Sequence, residues 1–96
     1  MSASLRDRIK LNLGISHEKL DDEIDARIGA GRRELIRIGV TDAMANSNDE
    51  LVLDALIDFV CMRLASDDKE RDLWERAWDI TSVSLMNSSA YYEESE

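Results

Sequence analysis

The sequence predicts an all-α protein, and three observations carry this prediction. Apolar residues recur at spacings of three and four residues throughout the chain, while alternation with a period of two is nowhere sustained. The 96 residues include no proline and only four glycines, too few for the closely spaced turns of a β-sandwich or barrel. With 44% hydrophobic and 34% charged residues, the composition is that of one small globular domain over residues 1–96.

Periodicity and capping residues divide the chain into four predicted helices and a tail. The expected bounds are about 3–12, 17–38, 48–65 and 70–86, which form a small four-helix bundle followed by a mobile acidic C-terminal tail over 87–96.

Local signals mark several of the helix ends. Gly14 is expected to end the first helix in the left-handed conformation, and Ser16 to cap the second. The polar segment 40–48 is predicted as a surface loop, with a capping box at Ser47 for the third helix. Asp67 is expected to cap the fourth.

The second predicted helix carries the clearest apolar stripe. Its members are Leu20, Ile24, Ile28, Gly31, Leu35 and Ile38. Glycine in a helix interior costs about 1 kcal/mol relative to alanine. Because Gly31 falls on the stripe itself, we expect another helix to approach closely there.

The third predicted helix is apolar on nearly every side, except for a line formed by Glu50, Asp54 and Asp58. A helix of this kind lies either at the centre of a bundle or against another subunit. A chain of this length can cover little of such a helix by itself. We therefore expect Leu53 and Ile57 to face a neighbouring copy.

Charge is distributed unevenly along the chain. The first forty residues carry a net charge of +1 and the remainder −10, which together make the overall −9. Unequal surfaces of this kind can stack head to tail, so Arg33 and Arg37 of one copy are predicted to meet Asp54 and Asp58 of the next. A solvated acidic surface explains the total charge equally well, and in either case it repels nucleic acid.

The sequence offers no catalytic or metal-binding constellation, so we predict no enzyme, no cofactor and no metal. The single histidine, His17, has no Cys or His partner at ligand spacing. The single cysteine, Cys61, lies in the apolar third helix, where it is expected to be a small buried hydrophobe. No apolar run is long enough to span a bilayer, so no membrane association is predicted.

Four of the five aromatic residues lie in the last predicted helix and the tail. Trp74 is expected to fill the core. Trp78 and Leu85 lie on the same stripe, which further apolar residues of this helix widen. Tyr91 and Tyr92 lie beyond that stripe, and tyrosine is enriched at binding surfaces.

The order of these elements resembles that of a known family. The residues that carry the resemblance are Leu5-x-x-Arg8-Ile9-x-Leu11-x-Leu13-Gly14-Ile15, the Leu20/Ile24/Ile28 helix, and Leu73-Trp74-Glu-Arg-Ala77-Trp78 leading into Ser84-Leu85-Met-Asn-Ser88-Ser89-Ala-Tyr91. In size, element order and closing signature, the chain resembles the small head–tail connector proteins of tailed bacteriophages. These are also described as adaptor, head-completion or DNA-packaging proteins.

The resemblance implies a non-enzymatic virion protein at the head–tail joint, assembled in the cytoplasm of the bacterial host. Such adaptors form a closed ring, here expected to hold about twelve copies, beneath the portal once DNA is packaged. The last helix and tail would dock on the portal protein through Trp78, Leu85, Tyr91 and Tyr92, while the opposite face receives a stopper or tail-completion protein. DNA only passes through the channel, whose acidic wall repels phosphate.

A hypothesis from another class remains open. A small helical homodimer, such as a regulatory or antitoxin-like interaction protein, would share the apolar third helix but close as a two-fold dimer. Molecular mass in solution and binding to the portal protein distinguish this alternative from a ring adaptor.

Overall fold

The computed structural model describes residues 4–87 of the chain. Five α-helices make up most of this range. They are α1 (Leu5–Leu13), α2 (Asp21–Arg37), α3 (Asp42–Ala45), α4 (Glu50–Leu64) and α5 (Asp68–Met86). No β-strand occurs within residues 4–87, so the predicted all-α class is confirmed. The four long helices correspond to the four predicted ones, and α3 is an addition.

Side-chain caps set where α4 and α5 begin. The Asp49 carboxylate accepts hydrogen bonds from the backbone N–H groups two and three residues later, which makes Asp49 the cap of α4. The predicted capping box at Ser47 is therefore wrong, since the Ser47 hydroxyl accepts from the Asp49 N–H instead. Asp67 caps α5 by accepting a 2.8 Å hydrogen bond from the Glu70 N–H, as predicted.

The start of α2 lies four residues later than predicted. Its N-cap position is held by Leu20, which makes no side-chain cap bond, so Ser16 does not cap this helix. His17 instead accepts a 3.2 Å hydrogen bond at Nδ1 from the Lys19 N–H, a local bond that competes with helix formation. Gly14 does end α1 in the left-handed conformation, with a φ of 70°.

The core of the protein surrounds α4, which packs against α5, α2 and α1. Buried side chains form two clusters. Their fully buried members include Leu35, Leu56 and Leu85 in the first cluster, and Ile9, Ile24 and Val60 in the second. The central position of α4 explains why its sequence is apolar on nearly every side.

Two residues predicted to contact other proteins belong to this core. Ile57 is 7% exposed and packs in the second cluster, so the expectation that it faces outward toward a neighbouring copy is wrong. Leu85 is fully buried in the first cluster and has no free surface with which to dock on a portal. Ile57 shares its cluster with residues of α1, α2 and α4, and Leu85 shares its cluster with residues of α2, α3 and α4. Leu53 is partly buried against the first cluster.

The segment predicted as a surface loop contains α3 and folds onto the core. Val40 and Ala45 are buried there, at 2% and 0% exposure. Arg32 of α2 holds the segment in place, because its Nη1 donates hydrogen bonds to the carbonyl oxygens of Ala45 at 2.8 Å and Ser47 at 3.2 Å. Burial lowers the pKa of the Arg32 guanidinium, and the two hydrogen bonds give this arginine a structural role.

Candidate assembly surfaces

Helix α5 is apolar on two sides, and only one of them is covered by the described part of the chain. The covered side includes Trp78 and packs against α4. The other side carries Leu73, Ile80 and Val83, whose exposed fractions are 64%, 70% and 51%. These three residues, with the smaller Ala77 between them, are called the α5 stripe below. Grouped exposed apolar side chains are typical of interaction surfaces.

The tryptophans of α5 are placed between the core and the surface. Trp78 is half-buried and meets the Phe59 ring of α4 edge-on, with 5.3 Å between ring centroids and 65° between the ring planes. Arg63 lies 5.1 Å from the centroid of the same Phe59 ring. Trp74 packs against the second cluster, as predicted, but is not fully covered. Both tryptophans therefore stabilise the packing of α5 against α4.

A groove of about 440 Å³ lies between α1, α4 and α5. Its apolar lining residues are Leu11, Ile57 and Trp74, and its polar ones are Arg8, Asn12, Asp54, Asp58 and Thr81. Leu11 is 83% exposed at its rim. Among residues 4–87, no histidine, cysteine or lysine lines the groove.

The half-buried carboxylate in this groove belongs to Asp58. Its Oδ2 accepts a 2.8 Å hydrogen bond from the Thr81 hydroxyl. Burial raises the pKa of Asp58, the Thr81 hydrogen bond acts in the opposite direction, and the nearby charge of Asp54 raises it further. The Arg8 guanidinium lies 3.6 Å from the carboxylates of Asp54 and Glu50, so the groove contains one cation among acidic groups.

Most of the charges predicted to pair between copies already have a partner within the chain. Arg37 pairs with Glu34 at 2.6 Å, Asp54 with Arg8, and Asp58 with Thr81. Arg33 is exposed and has no ion pair among residues 4–87. Head-to-tail pairing of these residues stays a prediction, and it would have to replace the internal contacts.

Other predicted features fall outside any candidate site or outside the described chain. Tyr91 and Tyr92 lie beyond residue 87, outside the described residues. Cys61 is fully buried, as predicted, and burial raises the pKa of its thiol to about 12, which keeps it protonated at neutral pH. Within residues 4–87, no group of His, Cys, Asp and Glu side chains is placed to hold a metal ion, and no helix is long and apolar enough to cross a membrane.

Changing Asp58 to asparagine is expected to stabilise the protein at neutral pH. Because its pKa is raised above the ordinary 3.8, the folded chain binds more protons than the unfolded chain just above that pH. Stability therefore falls as the pH rises through the folded-state pKa, and the loss persists at neutral pH. Asparagine removes the charge and still accepts from Thr81, for a gain of up to about 1 kcal/mol after allowance for solvent screening.

Thermal unfolding of the Asp58→Asn protein followed over a pH series measures this effect. The gain should shrink as the pH falls toward 3.8, where the carboxyl is increasingly protonated in both states. Asp54→Asn is the matched control, since Asp54 is exposed, and its effect should stay within about 0.5 kcal/mol. An Asp58→Asn protein that is less stable than the parent at neutral pH would contradict the assignment.

Comparison with known proteins finds no relative of this chain. Neither the protein-family models, nor the curated proteins, nor the solved structures include one that matches this chain. The fold and its surfaces thus define a class of protein: a small all-α chain in which residues 4–87 leave one apolar side of α5 exposed.

Proposed function

We propose that this chain is a structural adaptor of a tailed-bacteriophage virion, which forms a ring between the portal protein and a stopper or tail-completion protein. The observation that carries the proposal is the α5 stripe, with Leu73 and Ile80 each more than three-fifths exposed. Exposed apolar residues on one helix face suit assembly with another protein. The resemblance in element order and closing signature supports the connector family as the particular class.

In this proposal the four long helices act as a bundle that presents α5 and the acidic segment after it to the portal. Tyr91 and Tyr92 would anchor that segment, since each offers a large apolar face and one hydroxyl. The α5 stripe takes the part that the sequence assigned to Leu85, while Trp78 lies on the side of α5 that packs against α4. The acidic remainder of the chain would line a channel through which DNA passes without binding.

Removing residues 88–96 tests the docking role of the C-terminal segment. We expect the melting temperature to stay nearly unchanged, because the two buried clusters are built from side chains of residues 4–87. Co-sedimentation with DNA-filled heads that carry the portal protein of the same genome should be lost. The full-length chain and a Tyr91→Ala/Tyr92→Ala chain, measured together, separate the two tyrosines from the rest of the segment.

Two outcomes would count against this assignment. A drop of many degrees in melting temperature would place the tyrosines in the core of the domain. Full binding of the shortened chain would move docking to the α5 stripe alone, which the Ile80→Glu variant then tests. If neither change affects co-sedimentation, or if the full-length chain does not bind these heads at all, the adaptor function is wrong.

A further inference from the structure

Arg76 and Asp79 carry opposite charges on the Val83 side of the α5 stripe. Arg76 and Asp79 are exposed and lie three residues apart, so they share one side of the helix. Neither makes an ion pair among residues 4–87. On a projection with 3.6 residues per turn, both fall on the same side of the line from Leu73 to Ile80, and Val83 lies between them.

This arrangement is self-complementary for a second copy of the same helix. When two identical helices pack antiparallel about a two-fold axis, the same flank of each lies beside its counterpart. With the axis crossing α5 between Ala77 and Trp78, Arg76 of each copy comes opposite Asp79 of the other. Two symmetric ion pairs then form, whereas a parallel pair of helices would place the two Arg76 side chains at the same level and form neither.

The same register also interlocks the apolar residues. Ile80 of one copy lies at the same level as the midpoint between Leu73 and Ala77 of the other copy. The Ile80 side chain therefore enters the space between those two side chains. Leu73 likewise enters the space between Ile80 and Ser84 of the other copy. Alanine at position 77 leaves room for the two helix axes to approach within the usual 8–10 Å. Charge and shape therefore select one and the same register.

We propose that the free protein is a two-fold symmetric dimer in which α5 of a second copy covers the α5 stripe in antiparallel orientation. An interface of one helix per copy lies at the small end of specific interfaces, below about 1,200 Å². The dimer is therefore weak and reversible. It holds the stripe covered until assembly, and this last role rests on the proposed adaptor function.

The test is the molecular mass in solution, measured by light scattering over a concentration series through the micromolar range. The mass should rise from 10.9 kDa toward twice that value. Ile80→Glu should remain monomeric at every concentration with an unchanged circular dichroism spectrum, since Ile80 is 70% exposed. Glu75→Lys, a change of charge on α5 away from the stripe, is the control and should dimerise like the parent protein.

A charge exchange tests the register itself. Arg76→Glu alone and Asp79→Arg alone each place like charges opposite one another, and each should weaken the dimer about tenfold. The chain with both changes restores opposite charges and should recover the parent affinity. A double variant no tighter than the single ones would overturn the proposal.

The outcomes also separate this inference from the adaptor function. A protein that is monomeric at every concentration, or that forms only larger rings, would overturn the dimer. If such a protein still co-sediments with portal-bearing heads, the adaptor function stands. A dimer that obeys the charge exchange but does not bind those heads supports the inference and contradicts the adaptor function.

Discussion

Replacing Ile57 by glutamate is expected to destabilise the protein strongly, whereas the same replacement at Ile80 leaves its stability nearly unchanged. Ile57 is 7% exposed among the buried side chains of the second cluster, while Ile80 is 70% exposed on α5. A carboxylate at position 57 forfeits the burial of an isoleucine, about 1.5–3 kcal/mol. It also adds a charge that is poorly solvated beside Asp58. Together these costs reach about 3–5 kcal/mol, most of the stability of a small domain.

Circular dichroism and urea unfolding measure the difference between these two variants. Ile57→Ala gives a milder form of the same test, because it loses packing without adding charge and should cost about 2–4 kcal/mol. Ile80→Ala, its control, should stay within about 0.5 kcal/mol of the parent protein. If the Ile57→Glu protein has the same urea unfolding midpoint as the parent protein, Ile57 lies at the surface. Its predicted contact with a neighbouring copy would then stand.

Replacing Gly31 by leucine is expected to lower the free energy of unfolding by about 3 kcal/mol through overpacking. A Cβ atom on Gly31 would lie 2.9 Å from the Leu56 Cδ2 and 3.1 Å from the Phe59 Cδ2. Both neighbours are buried on α4, so they have little space into which to move. The remaining atoms of a leucine would separate α2 from α4.

Gly29 offers a matched control two residues earlier on the same helix. A Cβ there would meet only the Arg33 Nη1, at 3.6 Å. Gly29→Ala should therefore gain up to about 1 kcal/mol from helix propensity alone. Gly31→Ala should show less of this gain, because crowding against Leu56 opposes it. Equal stabilities of the two alanine variants, or a Gly31→Leu protein as stable as the parent, would show that α2 and α4 are not in close contact.

Several features of the fold follow from the sequence because they depend on local or periodic patterns. Spacings of three and four residues predict the four long helices. Gly14 and Asp67 end and begin helices as predicted, since a left-handed residue and a cap are local requirements. The close approach of another helix at Gly31 is confirmed by the contact with α4. A glycine on an apolar stripe was the signal that revealed it.

The candidate surfaces could be predicted only in part. The sequence placed a binding face on the last helix, but it treated Leu73, Ile80 and Val83 as a widening of the core stripe. Their exposure is the signal that identifies the α5 stripe, and exposure cannot be read from composition. A search for charges that flank a second apolar line on the same helix could have singled out Arg76 beforehand.

The sequence by itself determined the all-α class, the positions of the long helices and the apolar character of both sides of α5. Only the tertiary structure decided which of those sides is covered, that Ile57 and Leu85 turn inward, and that α3 closes over the core. The physical reason is that helix periodicity specifies the relative angle between side chains around one axis. The direction in which that axis faces its neighbours is determined by the packing of all the helices together.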